Sequence, residues 1–312
     1  MSDAPPSPSI APRTRLAGIL FVNLATLTWA TNIALGRWMR HEIGPITLAA
    51  GRYIVASALL AFLLTREPRV HESRSGNGGS VTRPKRERWP LLAMALTGVA
   101  LFAPTLYLGL RYTTSVNATL INSFAPLITG VLSGILIGEA MSRRQVTGAL
   151  AGLAGVLVLI SGGSLAVLRS VGVNWGDLLI VVAATLWSLY SVFGRRAMRG
   201  HSVLQVTAWS SILGTPVLIA AAAWEMQALP PAVSTRLILL IVYIAVVPSV
   251  GGILAWNAGV RRLGASGAMV FYNTLPVYGA LIGYLFLGEA IGLTHLVGGA
   301  LIAGGGLWAA RT

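Results

Sequence analysis

The chain has 312 residues, 55% of them apolar and only 10% charged, with 36 glycines, no cysteine and a formal net charge of +14. Water-soluble domains carry roughly a quarter charged residues, so this composition excludes an ordinary soluble protein. Without cysteine it also excludes disulfides and thiolate metal sites.

The opening stretch MSDAPPSPSIAPRTR is polar and proline-rich, which predicts a disordered tail over 1–15. Beyond it, a bilayer core needs about 20 apolar residues per crossing helix. That ruler gives ten candidate spans in chain order: 16–38, 45–65, 89–110, 116–138, 144–163, 175–194, 203–224, 236–257, 266–287 and 292–310. The first is too long for a signal-peptide core and lacks a small-residue cleavage site, so it reads as a retained helix. None shows the two-residue alternation of a barrel strand. The predicted fold is an all-α polytopic membrane protein with ten transmembrane helices.

Positive charge lies between the spans. With the N-terminus inside, 17 of the 23 Lys and Arg residues fall on that side and five on the other, with Arg52 inside a span. This bias predicts cytoplasmic termini. The basic stretch 66–88 then reads as a topology signal and flexible connector, not as a nucleic-acid site.

The fourth span ends PLITGVLSGILIGEA, Pro126 to Ala140, and the ninth ends PVYGALIGYLFLGEA, Pro276 to Ala290, at an offset of 150. At the same offset Gly109, Arg111, Ala118, Gly148, Gly155 and Leu157 recur as Gly259, Arg261, Ala268, Gly298, Gly305 and Leu307. Trp29, Gly36 and Arg37 recur as Trp187, Gly194 and Arg195 at an offset of 158. Shared apolar residues mean little between membrane helices, but Pro, Glu and Arg in a fixed frame indicate duplication. Five spans per copy is odd, so the second copy enters the membrane in the opposite sense. Such inverted repeats are a common transporter architecture, with the substrate site near the midplane between the halves. The expected organisation is a first repeat over 16–163, a linker over 164–174 and a second repeat over 175–312.

TWATN, GPITLAAGRYIVASALL and LYLGLRYTTSVNATLINSFAPLITGVLSGILIGEA, in this order, resemble the successive signatures of an EamA domain. ATLWSLYSVFGRRAM and the 256–290 segment resemble the same pattern again. The chain is thus similar to the drug/metabolite transporter (DMT) superfamily, and within it to ten-helix exporters of the YddG type. One departure is Ala30, where many relatives have Gly. The resemblance implies export of amino acids or related metabolites, hydrophobic and aromatic ones included, across a bacterial inner membrane by alternating access. A multidrug or nucleotide-sugar carrier is the alternative. The implied partners are small-molecule solutes and lipid, with no nucleic acid and no cofactor, and the working unit is a monomer or weak dimer.

The candidate cavity and gate residues follow from depth and from the repeat. Trp29 and Trp187 are equivalent and too deep for an interfacial belt; each reads as cavity lining or as core. Asn32 and Tyr190 follow them by three residues. Asn122 and Tyr272 are equivalent positions on spans 4 and 9, with Asn273 beside the latter. Tyr107 and Asn257 are equivalent positions one turn before an arginine, readable as gates or as packing. Arg52 reads as a binder of a substrate carboxylate, or as a structural anchor whose head snorkels toward water. Pro126 and Pro276 lie mid-span and read as static kinks or as hinges. Glu139 and Glu289 read as helix-end caps or loop contacts rather than as transport chemistry. No Asp or Glu lies deep in a span, and His295 alone of the histidines touches one, so a proton relay has little to use. No constellation of catalytic side chains is present, which argues against an intramembrane enzyme.

Overall fold

The computed structural model describes residues 12–39, 42–67, 87–113, 115–169, 174–287 and 291–311. Most of 66–88 and Glu289 therefore lie outside the described residues. Ten membrane-crossing helices run through the rest. They are α1 (Pro12–Met39), α2 (Pro45–Arg66), α3 (Trp89–Tyr112), α4 (Ser115–Ile137) and α5 (Arg143–Ser161), then α6 (Trp175–Ala197), α7 (Val203–Ala228), α8 (Thr235–Leu263), α9 (Ala265–Leu287) and α10 (Leu293–Ala309). A short helix, Leu165–Arg169, lies between α5 and α6.

The expectation of disorder over 1–15 needs correction at its end, because α1 is already helical from Pro12. Proline suits a first helical turn, where its missing N–H has no intrahelical partner to lose.

Four of the ten helices are irregular, in matched pairs. In α3 a π-helical turn occupies Ala95–Leu101, and in α8 another occupies Ala245–Gly251, at the repeat offset of 150. Pro248 sits inside the second, where it has no N–H to donate. There the Ser249 hydroxyl donates to the Ile244 carbonyl at 2.8 Å. In α4 the helix is interrupted at Ser123–Phe124, and in α9 a 3₁₀ turn covers Phe271–Thr274. Pro126 and Pro276 stand just past these breaks, in the first turn of the second half-helix. They are therefore not kinks within a continuous helix.

The halves meet by reciprocal contacts. A Cβ placed on Gly148 would lie 2.4 Å from the Gly305 carbonyl oxygen, and one on Gly305 2.6 Å from that of Gly148. Gly155 and Gly298 repeat the relation at 2.6 and 2.7 Å. Since Gly148 is equivalent to Gly298 and Gly155 to Gly305, the α5–α10 contact is antiparallel and symmetric. Close backbone approach through small residues is how membrane helices gain packing energy, since lipid offers no hydrophobic drive between them. The Ser57 and Thr215 hydroxyls, equivalent at an offset of 158, bond to each other at 2.8 Å between α2 and α7. The Asn273 amide donates to the carbonyl of its equivalent, Ser123, at 3.4 Å between α9 and α4. Helices α1 to α5 thus pair with α6 to α10 about a pseudo-two-fold axis, as two inverted five-helix repeats.

Candidate solute cavity

Trp29 of α1 and Trp187 of α6 meet on that axis, their rings edge to face with centroids 5.1 Å apart. Trp256 lies 5.3 Å from Trp29 and 5.8 Å from Trp187, and Tyr272 lies 6.3 Å from Trp29. Phe102 packs on the other side of Trp187 at 5.2 Å. Two features make room for this cluster. Gly252, at the end of the α8 π turn, leaves space for the Trp29 indole, because a Cβ there would lie 2.8 Å from Nε1. The Trp29 N–H in turn donates to the Pro248 carbonyl at 3.1 Å. In the other half, a Cβ on Gly98 would lie 2.1 Å from the Tyr190 ring.

Against these rings lies a cavity of about 90 Å³ that opens at one end. Its walls are Trp29 and Asn32 from α1, Arg52 and Tyr53 from α2, Phe102, Ala103 and Leu106 from α3, and Trp187 from α6. Pro248, Ser249 and Ile253 of α8 and Tyr272 and Leu275 of α9 complete them. Six helices from both repeats therefore contribute. Asn32, Arg52 and Leu106 place the cavity in the half of the bundle away from Pro12 and Ala309, here called the far half.

The opposite, tail half is packed solid beneath it. Trp256, Tyr190, Asn257, Met94 and Met269 are at most 1% exposed. The Tyr190 ring stacks on Trp187 at 4.9 Å. The Asn257 amide donates to the Tyr190 hydroxyl and to Thr207 Oγ1, both at 2.9 Å. At the tail-end surface the two repeats are joined by charge. Glu139 accepts from Arg195 Nε at 3.1 Å and pairs with Arg199 at 3.3 Å. Glu87 pairs with Arg196 at 2.7 Å, and this bond holds the Glu87 carboxyl below its ordinary pKa.

Of the residues the sequence singled out, Trp29, Asn32, Arg52, Trp187 and Tyr272 line the cavity. Tyr190 and Asn257 lie one layer below, as the closed floor. Asn273 is buried at the α4 break, and Asn122 is not among the lining residues. The Tyr107 side chain lies outside the described residues. Of the two readings of Glu139, the structure shows contacts beyond its own helix end, to Arg195 and Arg199 of the other repeat, while His295 Nδ1 accepts the Gly292 N–H at 3.1 Å and caps α10. Sequence reasoning missed Tyr53, Phe102, Ser249 and Trp256. Their apolar surroundings look like ordinary core, and only the repeat frame placing them opposite Trp29 and Trp187 could have flagged them.

Two inverted five-helix repeats enclosing a cavity between them define a membrane transporter. The profile of the EamA-like transporter family matches residues 16–161 and again 174–310, and the chain belongs to that family. It is similar to the uncharacterized transporter YyaM of Bacillus subtilis (strain 168), 28% identical over 287 residues, 91% of this chain and 90% of the relative. It is also similar to a probable terminal-alkyne amino-acid exporter of Streptantibioticus cattleyicolor, 26% identical over 285 residues, 90% and 89% of the two chains. An S-adenosylmethionine/S-adenosylhomocysteine transporter of Chlamydia trachomatis is 25% identical over 297 residues, 90% and 85% of the two chains. A crystal structure of a 25% identical protein superposes with a TM-score of 0.73 over 94% of this chain and 96% of that one. The family and these relatives are transporters, not enzymes.

Proposed function

We propose that this protein exports amino acids or closely related metabolites across a bacterial inner membrane by alternating access, with both termini in the cytoplasm. The carrying observation is the cavity itself: aromatic faces on one side, with Asn32, Arg52 and Ser249 supplying polar contacts. Such a lining suits a solute with an apolar side chain and a polar head. The relatives named for an amino acid and for S-adenosylmethionine support this, since both solutes carry an α-amino-carboxylate group.

The excess of Lys and Arg at the tail end supports a cytoplasmic position for that end. The cavity then faces outward, with the inner path shut by the Trp256–Tyr190–Asn257 layer. In the opposite state the equivalent layer on the far side closes, each repeat taking up the other's conformation. The moving units are 16–163 and 175–312, with 164–174 as linker, and one chain supplies a complete cavity. No carboxylate or histidine is among the cavity-lining residues, so transport down the solute gradient without an obligatory proton is the expected mode.

The test is counterflow of a labelled amino-acid panel into liposomes holding the purified protein, with and without a pH gradient. Saturable uptake that ignores the gradient supports the reading. Uptake of a drug or nucleotide-sugar panel with none of the amino acids contradicts it.

A further inference from the structure

Arg52 stands seven residues into α2, on the cavity wall. Its guanidinium lies 5.0 Å from the Tyr53 ring centroid, a cation–π contact. The Nε atom is buried and meets no hydrogen-bond acceptor among the described residues. A charged group within a membrane helix is costly, and such groups normally pair with one another or with backbone carbonyls. Here the pair is incomplete.

A second donor in the same cavity is also unmatched. The Trp187 indole N–H is buried without an acceptor, while its equivalent in the other half, Trp29, donates to the Pro248 carbonyl. Two unmatched donors lining one cavity, one of them cationic, describe a place built for an acceptor that arrives from outside. Among the described residues that line the cavity Arg52 is the one charged group, and the low-dielectric walls strengthen its field.

The repeat supplies an independent argument. At the offset of 158 that relates Ser57 to Thr215, the equivalent of Arg52 is Ser210. Ser210 is fully buried, with its hydroxyl bonded to the Thr207 carbonyl. The second repeat builds the same helix with no charge at this place. Arg52 is thus not needed to make the repeat fold.

We propose that Arg52 and Trp187 form an anion subsite that takes the carboxylate of the transported solute, with the neighbouring rings taking its side chain. This rests on the amino-acid reading above and sharpens it. The recognised feature is the carboxylate, and a cationic solute lacking one is rejected.

Quenching of tryptophan fluorescence in the purified protein tests this with four ligands sharing one aromatic side chain: phenylalanine, phenylalaninamide, phenethylamine and 3-phenylpropionate. The two carboxylates should bind more tightly than the amide and the amine by roughly tenfold or more, as expected for a charge-assisted hydrogen bond. Arg52→Gln should erase that preference, by weakening binding of the two carboxylates and relieving repulsion of the amine, and Arg52→Lys should restore part of it. Trp187→Phe should reduce it while keeping the ring. A wild-type protein that binds the amine as tightly as the acid, or an Arg52→Gln protein with its acid preference intact, overturns the subsite. Amino-acid counterflow, run alongside, separates the two proposals. Acid preference without amino-acid transport leaves the subsite standing and removes the amino-acid reading, whereas transport unchanged in Arg52→Gln does the reverse.

Discussion

Trp29 and Trp187 are the same position in two copies of one unit, and they touch, with ring centroids 5.1 Å apart. A residue meets its own equivalent only on the axis that relates the copies, so the aromatic cluster marks that axis. The two indoles are not chemically equal, however. Trp29 spends its N–H on the Pro248 carbonyl, and Trp187 leaves its N–H unpaired.

That asymmetry gives the first prediction. Trp29→Phe loses a hydrogen bond that Trp187→Phe does not, so it should be the less stable variant by about 1 kcal/mol. Thermal unfolding in detergent measures the difference. Equal melting temperatures would contradict the unequal roles.

The α5–α10 contact gives the second. Gly148→Ala places a methyl group 2.4 Å from a backbone oxygen, so the helices must separate. Overpacking of this kind costs about 1–3 kcal/mol. Gly304→Ala, one residue from the contact and with nothing within 4 Å of the added carbon, should stay within about 0.5 kcal/mol of the parent. Protein yield and melting temperature should rank the variants accordingly.

The tail-end ion pairs give the third. The residues are partly exposed, 31% for Glu139 and 29% for Arg195, so each pair contributes no more than about 1 kcal/mol to stability. Their position, joining the two repeats beneath the closed floor, makes them a latch. Glu139→Gln should raise the population open to the tail side and increase maleimide labelling of Val260→Cys. The absence of native cysteine gives that labelling no background. Unchanged labelling would show that the latch does not hold the floor shut.

Glu87 gives a pH dependence of known sign. Its hydrogen bond to Arg196 depresses its folded pKa below the ordinary 4.5. A group of this kind contributes stability that is fully present above its unfolded pKa and lost as pH falls through the folded value. Melting temperature should therefore decline below about pH 4.5, and Glu87→Gln should flatten that part of the curve. Identical curves would remove the ion pair from the account.

The fold was legible because its signals are additive. Ten apolar runs, 17 against five positive charges and a gapless offset of 150 each integrate many residues, and helix positions came out within a few residues. The irregular turns were only half legible. In α8, Pro248, Gly251 and Gly252 are helix breakers visible in the sequence. The stretch ALTGVAL holds no proline to announce the matching π turn in α3, where the Tyr190 ring packs against Gly98. In the candidate site, Trp29, Asn32, Arg52, Trp187 and Tyr272, singled out by depth and equivalence, line the cavity. Depth and equivalence could not separate wall from floor, because Tyr190 and Asn257 lie on the same helix faces a turn nearer the tail end. The amide of Asn273 instead serves the Ser123 carbonyl at the α4 break, and breaks of this kind leave carbonyls that a nearby donor can satisfy.

The most direct test of alternating access uses two single-cysteine reporters, Leu106→Cys on the far wall and Val260→Cys at the tail side. A membrane-impermeant maleimide is applied to sealed right-side-out and inside-out vesicles. The account predicts that Leu106→Cys reacts only from outside and Val260→Cys only from inside, and that a transported solute shifts their rates in opposite directions. Reaction of both from one face, or rates that rise and fall together, would contradict it.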